Sequence, residues 1–400
     1  MSPVHSVVIS PAQRAALRAL ALGAGLSALS LRVTDALLPQ LSRQYAAPLA
    51  DVAWVVTAFG LAYGLSLLLL GPLGERFGKL RVIAWSCLAA ALASLACALA
   101  GSLGGLIAAR GASGAAMAAV IPLSMAWIGD QISYQHRQPV LARFLLGQIT
   151  GMSVGVGLGG LAADYLSVTS AFGLIALGYA VLGYGLLRLL PLAPDDIRPA
   201  TEPWLASIWA GSRAVLQQSW PRKVLLTVAA EGALLFGVIS FGATHLHQKH
   251  GVTLSLAAGL MMLFGLGGAA YALNTRRLLQ WWGEHGLVRM GGAVVAAGIL
   301  LLAWTPWWPL ALLASTLCGM GYYMMHNTLQ VQATQMTPGL RAVAVSLFAF
   351  SFFMGQSLGV ALFSRASALV PLAWVMSLSA ICLLVLAQVF SLALKKNAAA

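Results

Sequence analysis

The chain has 400 residues, of which 60% are hydrophobic and only 8% charged, with a mean hydropathy of +0.86. A soluble domain carries about a quarter charged residues, so this composition excludes a soluble globular enzyme, a disordered chain and a secreted disulfide scaffold. A bilayer crossing takes about 20 apolar residues, and the chain has room for about twelve with short loops. The formal net charge of +13 invites a nucleic-acid reading. The cations, however, stand in small groups between apolar runs and not on one solvated face, so no nucleic-acid partner is expected. Cys87, Cys97, Cys318 and Cys382 all fall inside apolar runs without metal-ligand spacing, and neither a disulfide framework nor a metal site is expected.

Windows of about 19 residues predict spans near 16–38, 50–73, 80–100, 104–128, 141–163 and 169–190. A second set is predicted near 224–246, 253–274, 287–305, 308–330, 342–364 and 370–394. The first apolar run has no small-residue cleavage site behind it and reads as a retained span. Between the sets lies one long polar connection, 191–222, with Pro191, Pro194, Asp195, Asp196, Pro199 and Pro203 followed by a short amphipathic stretch. The expected fold class is an all-α polytopic membrane protein with 12 transmembrane helices in two pseudo-symmetric six-helix bundles. Its expected domains are 1–190, a linker at 191–222, and 223–400. Near-equal halves of this kind are what duplicated transporters show.

Orientation follows from Lys and Arg. With the N-terminus inside, the cytosolic segments hold Arg14, Arg18, Arg76, Lys79, Arg81, Arg137, Arg143, Arg188, Arg222, Lys223, Arg276, Arg277, Lys395 and Lys396, among others. The outer segments keep Arg43, Lys249 and Arg365. This asymmetry predicts both termini in the cytosol. The basic excess is then a topology signal.

Three motifs follow one another in the first half. The segment from Gly71 to Val82, Gly-Pro-Leu-Gly-Glu-Arg-Phe-Gly-Lys-Leu-Arg-Val, joins spans 2 and 3 and resembles the loop signature of the major facilitator superfamily. Gly71, Leu73, Gly78, Lys79 and Arg81 match it, and Glu75 stands where Asp is usual. Arg110-Gly-Ala-Ser-Gly-Ala-Ala, followed by Pro122 and Asp130, is similar to the family's span-4 pattern with its embedded arginine. In span 5, Gly147, Gly151, Gly155, Gly159 and Gly160 look like the family's antiporter signature, although Gly155-Val156 replaces the usual Gly-Pro. The resemblance implies the family's fold and proton-coupled transport by alternating access. It also implies a latch at the 2–3 loop (Gly71, Glu75, Arg76, Gly78, Lys79 and Arg81 with Asp130) that holds the halves together. It further implies a span-5 glycine face lining the interface between the halves; plain helix packing is the competing reading of those glycines.

Ionisable residues inside spans are costly and are functional candidates by default. Asp35, in Thr34-Asp-Ala-Leu-Leu-Pro39, is similar to the span-1 acid of the drug/proton antiporter branch, which implies a proton carrier tuned by Arg110. Mutual neutralisation with Arg32, three residues away on one helix face, is the alternative. Glu231 in span 7 reads either as a second protonation site or as the partner of a loop arginine. In span 10, Tyr322, His326 and Gln330 step by four with Asn327 beside them. With Arg32 and with Gln356 of span 11 they are the candidate substrate-binding residues, helix-to-helix hydrogen bonding being the other explanation.

The expected function is proton-coupled efflux of a small organic compound such as a drug or a sugar-like metabolite from a cell inner membrane. The expected partners are that substrate, protons and the lipid bilayer, and a monomer is the default. Symport of a small, possibly anionic metabolite is the second reading, and a membrane-embedded lipid-modifying enzyme a remote one. No GxxxxGK[ST] sequence is present, so no nucleotide or other cofactor is expected.

Overall fold

A computed structural model describes residues 10–132, 134–192 and 204–398. The polar positions from Pro194 to Pro203 in the predicted linker lie outside the described residues, as do the surroundings of Gly71. Among the described residues every regular element is helical. In the first half these are α1 (Pro11–Arg32), α2 (Leu38–Gln44), α3 (Leu49–Val52), α4 (Trp54–Phe77), α5 (Lys79–Ala98), α6 (Leu103–Met117), α7 (Val120–Gln131), α8 (Tyr134–Asp164) and α9 (Val168–Leu189). The second half has α10 (Trp204–Gln217), α11 (Ser219–His250), α12 (Leu254–Met261), α13 (Phe264–Trp304), α14 (Leu310–Gln335), α15 (Arg341–Ser367) and α16 (Leu372–Ala398).

Every predicted span falls on one of these helices or on a broken pair of them. Ten segments of the described residues are long and apolar enough to cross a bilayer, and two differences from twelve have physical causes. The segment Leu254–Trp304 has 51 residues, roughly 75 Å of helix against a hydrocarbon core of about 30 Å. It is interrupted at Gly283 (φ 62°, ψ 179°), so it holds the two spans predicted at 253–274 and 287–305. The other is α14, whose tyrosine, histidine, asparagine and glutamine side chains dilute its apolar character.

The helices fall into two groups. Contacts in the first run mainly between α1 and α8, α5 and α9, and α4 and α6; in the second, between α13 and α14, α11 and α15, and α13 and α16. The groups meet chiefly along α4–α15 and α8–α12. Glycines let several helix pairs touch, and in each bundle one pair meets on glycines at four-residue steps. A methyl group built on Gly147, Gly151, Gly155 or Gly159 of α8 would collide with the carbonyls of Ala21, Gly25 or Leu29 of α1 or of Val33 just after it. Gly355 and Gly359 of α15 stand in the same relation to Ala229 and Ala233 of α11. Small residues at four-residue steps share one helix face and let backbones touch.

This corrects the expected placement of the span-5 stripe. Gly151, Gly155 and Gly159 lie inside the first bundle, against α1. Only the offset positions Gly157 and Gly160 face the second bundle, at Met262 and at Leu254 to Ala258. One sequence motif therefore covers two helix faces, because 3.6 residues per turn set position 160 about 100° away from position 159.

Candidate functional site

Pro39 has no N–H to give to the carbonyl four residues back. Accordingly α1 stops at Arg32, and the chain passes through a turn at 33–37 before α2 begins. Within the turn Asp35 N–H donates to Arg32 O (3.1 Å) and Leu37 N–H to Thr34 O (3.1 Å). This break places Asp35, only 2% exposed, between the bundles. Arg32 Nη1 stands 3.4 Å from its Oδ2, and Ser240 Oγ of α11 donates to its Oδ1 at 3.0 Å.

Arg110, 1% exposed, reaches the same turn from α6. Its Nη1 donates to Ser30 O (3.1 Å), its Nη2 to Thr34 Oγ1 (3.5 Å) and its Nε to Val55 O (3.3 Å). The Phe59 ring lies against its guanidinium, with 4.0 Å to the centroid. Arg110 thus holds the broken backbone of α1, while the ion-pair partner of Asp35 is Arg32. The face of Arg32 in turn lies 4.2 Å from the Phe236 ring centre, which suits a desolvated guanidinium.

The second bundle brings its own buried pair to the midregion. His326 Nδ1 of α14 lies 2.7 Å from Glu231 Oε2 of α11. The partner of Glu231 is therefore this histidine, which removes the loop-arginine alternative. Around the pair stands an aromatic wall: Tyr322 stacks on His326 (4.8 Å), Phe352 and Phe348 flank it (4.9 and 5.6 Å), and Phe236 meets Tyr322 edge-on (5.7 Å). The Arg32–Asp35 ion pair and the Glu231–His326 hydrogen bond are joined through Phe236 and Tyr322. A narrow cavity, with about 30 Å³ open to a water molecule, lies beside the Arg32–Asp35 pair. It is lined by Arg32, Asp35, Met152, Phe236, Phe264 and Tyr323, among others.

The predicted polar stripe of span 10 divides. Tyr322 and His326 face the aromatic wall, whereas Asn327 Nδ2 donates to Tyr271 OH of α13 (2.9 Å) and Gln330 is exposed. Gln356 is buried on α15, near Gly232 of α11. Sequence reasoning missed Ser240, Ser153 and Asp164. Ser153 Oγ donates to Met262 O (3.3 Å), and Asp164 Oδ2 accepts from Ser255 N–H (2.6 Å). With Thr57 Oγ1 donating to Ser357 O (3.3 Å) and the Asp35–Ser240 bond, these are the four polar bonds between the bundles among the described residues. All four lie toward the end remote from the termini. No local pattern announces them, because each partner sits in the other half of the sequence.

At the 2–3 corner the structure brings the predicted ionic residues together. Helix α4 continues to Phe77, Gly78 turns the chain alone at φ 90°, and Lys79 opens α5. Lys79 Nζ sits 2.8 Å from Glu75 Oε1 and 2.9 Å from Asp130 Oδ2 of α7. All three residues belong to the first bundle. Arg76 is exposed and lies over the Phe77 ring, and Arg81 is exposed at the same corner. The three histidines at 245–250 join no cluster able to hold a metal among the described residues.

Two helical bundles closed on each other at one end, with a charged and aromatic cavity between them, define the architecture of a secondary transporter. The family description Major Facilitator Superfamily matches residues 20–360, and the chain belongs to that family. Its fold and family are those of membrane transporters and not of enzymes. The multidrug export protein EmrB of Escherichia coli (strain K12) is 31% identical over 146 residues, 36% of this chain and 28% of that protein. The methylenomycin A resistance protein of Streptomyces coelicolor (strain ATCC BAA-471 / A3(2) / M145) is 27% identical over 312 residues, 73% of this chain and 63% of that protein. The chain thus spans less than two thirds of these relatives. Among solved structures, the nucleoside transporter NupG superposes with a TM-score of 0.77 at 16% identity, covering 95% of this chain and 98% of that one. An inward-facing, occupied bacterial homologue of the lysosomal transporter Spinster gives 0.72 at 17% identity, covering 97% of each chain.

Proposed function

We propose that this chain exports a small organic compound in exchange for protons across a cell inner membrane, with both termini in the cytosol and Asp35 as the proton carrier. The observation that carries the reading is the bond from Ser240 to Asp35, which ties an intramembrane carboxylate to the contact between the bundles. An ionised Asp35 accepts from both Ser240 and Arg32. A proton on it removes one acceptor and weakens its attraction to Arg32, so loading the site acts directly on the closed end. In the proposed orientation that end is the outer one, and the structure faces inward. Substrate entering from the cytosol meets Arg32 and Asp35 on the cavity wall, and its binding drives the proton off. The resistance and export proteins among the relatives support efflux, and the latch of Lys79 with Glu75 and Asp130 would form its contact with the second bundle in the outward-facing state.

The test is proton release when substrate is added to detergent-purified protein, over a panel of cationic drugs and sugars, wild type against Asp35→Asn. Release that vanishes in the variant supports Asp35 as the shared site. Release that persists moves the proton to Glu231 or elsewhere. Binding without release in the wild type removes antiport and leaves uptake, the second reading, which Val156 in place of the antiporter proline favours.

A further inference from the structure

A groove on the outer surface of the second bundle, remote from the central cavity, is built from a different set of residues. It runs between the start of α11 and the end of α16, with about 1300 Å³ of empty space including space open to solvent. Its floor is the stacked pair Trp220 and Phe390, with ring centres 5.8 Å apart and planes within 16°. Its walls are apolar and outward-facing: Leu226 is 71% and Leu392 63% exposed. In a membrane such walls face acyl chains. Its lining includes two lysines, Lys223 from α11 and Lys396 from α16. Neither takes part in any of the four ion pairs found among the described residues.

The chemistry is that of a single amphipathic anion. Two cations on opposite walls suit a phosphate, the indole of Trp220 suits the boundary between headgroup and hydrocarbon, and the leucines below suit fatty acyl chains. Basic pockets between transmembrane helices take anionic headgroups for these reasons. We infer that this groove is a binding site for one anionic glycerophospholipid, its phosphate held between Lys223 and Lys396 and its chains along Leu226 and Leu392. The expected preference over a zwitterionic lipid is about 30-fold, from roughly fivefold per lysine near the membrane surface. Because α11 also carries Glu231 and Ser240, an occupied groove fixes the outer flank of the helix that carries both the cavity pair and the contact to Asp35.

The test is native mass spectrometry of the full chain released from nanodiscs of phosphatidylcholine containing a graded fraction of phosphatidylglycerol. The expected result is one retained phosphatidylglycerol per chain, lost in Lys223→Gln/Lys396→Gln. Retention should survive in Arg276→Gln/Arg277→Gln, which removes the same charge elsewhere. Equal retention of the two lipids overturns the site, and so does equal loss in both double variants, which would show only a general surface charge effect. Addition of soluble glycerol 1-phosphate should leave retention unchanged; displacement of the lipid by it would assign the lysines to a free phosphate and overturn the lipid.

Discussion

The corner after α4 and the corner within α13 repeat one construction with different charges. In each a single glycine takes a positive φ, 90° at Gly78 and 62° at Gly283, and the residue after it begins the next helical run and reaches across to a later helix. In the first bundle that residue is Lys79, whose ammonium lies between the carboxylates of Glu75 and Asp130. In the second it is Glu284, whose Oε2 accepts one bond from the amide of Gln332 on α14 (3.0 Å). The left-handed glycine is needed in both, since a side chain with a Cβ resists that conformation. What differs is the strength of the bond the corner carries. The bundles share a glycine corner at this point and divide the electrostatics: among the described residues, the ionic cluster stands at the corner of the first bundle.

The contrast extends into the membrane, and the largest expected effect tests it there. If Asp35 alone carries the coupled proton, Asp35→Asn abolishes substrate-dependent proton release, a loss of about 100-fold or more, whereas Glu231→Gln leaves release largely intact; a pH-sensitive dye on purified protein reads both. The opposite ranking would place coupling in the second bundle. The glycine seams come next, as the feature the bundles share. Gly155→Val in α8 and Gly359→Val in α15 each force a side chain into facing backbone and should destabilise by about 3 kcal/mol. Gly185→Ala, which meets nothing within 4 Å, should be neutral or slightly stabilising. Thermal unfolding in detergent orders the three, and a mild effect at Gly359 alone would show the second seam to be looser.

The corners should then separate. Lys79→Ala leaves two carboxylates without their shared cation and should lose about 1 to 2 kcal/mol, discounted because Glu75 and Asp130 are partly solvated. Glu284→Gln should lose less than about 0.5 kcal/mol. Equal losses in urea unfolding would mean that the corner's charge is immaterial. Last, Asp164→Ala removes the carboxylate that meets the first turn of α12, a bond worth about 1 kcal/mol. It should shift the balance of open and closed ends about fivefold, read as faster thiol labelling of a Thr57→Cys reporter. Unchanged labelling would leave closure to the other polar bonds between the bundles and to the apolar contacts.

Most of the fold was legible because hydropathy and period are local properties, and all twelve predicted spans fall on helices. The broken first span was legible only in part: Pro39 announces a break, yet nothing in the sequence says that Arg110, far along the chain, donates to the carbonyl of Ser30. The corner at Gly78 was readable as a motif, including the meeting of Lys79 with Asp130. Its second copy could not be read from the sequence, because the shared element is a backbone angle and Glu284 reverses the charge. The pairing of Glu231 with His326 could not be read, since two helices meeting in three dimensions leave no periodic trace when each contributes a single polar residue. For the same reason Ser240, one small hydroxyl in an apolar run, gave no hint that it touches Asp35.

The break in α1 has a consequence for how this protein can vary. Arg110 bonds a segment that Pro39 disrupts, with Nη1 on Ser30 O and Nη2 on Thr34 Oγ1. A lineage that loses the proline can rewind the helix, satisfy those groups locally and leave a buried guanidinium with only Val55 O and the Phe59 ring as partners. A lineage that loses the arginine keeps a frayed turn with a bare carbonyl in the bilayer. Positions 39 and 110 should therefore be inherited as a pair, and variants lacking one should be rescued by removing the other.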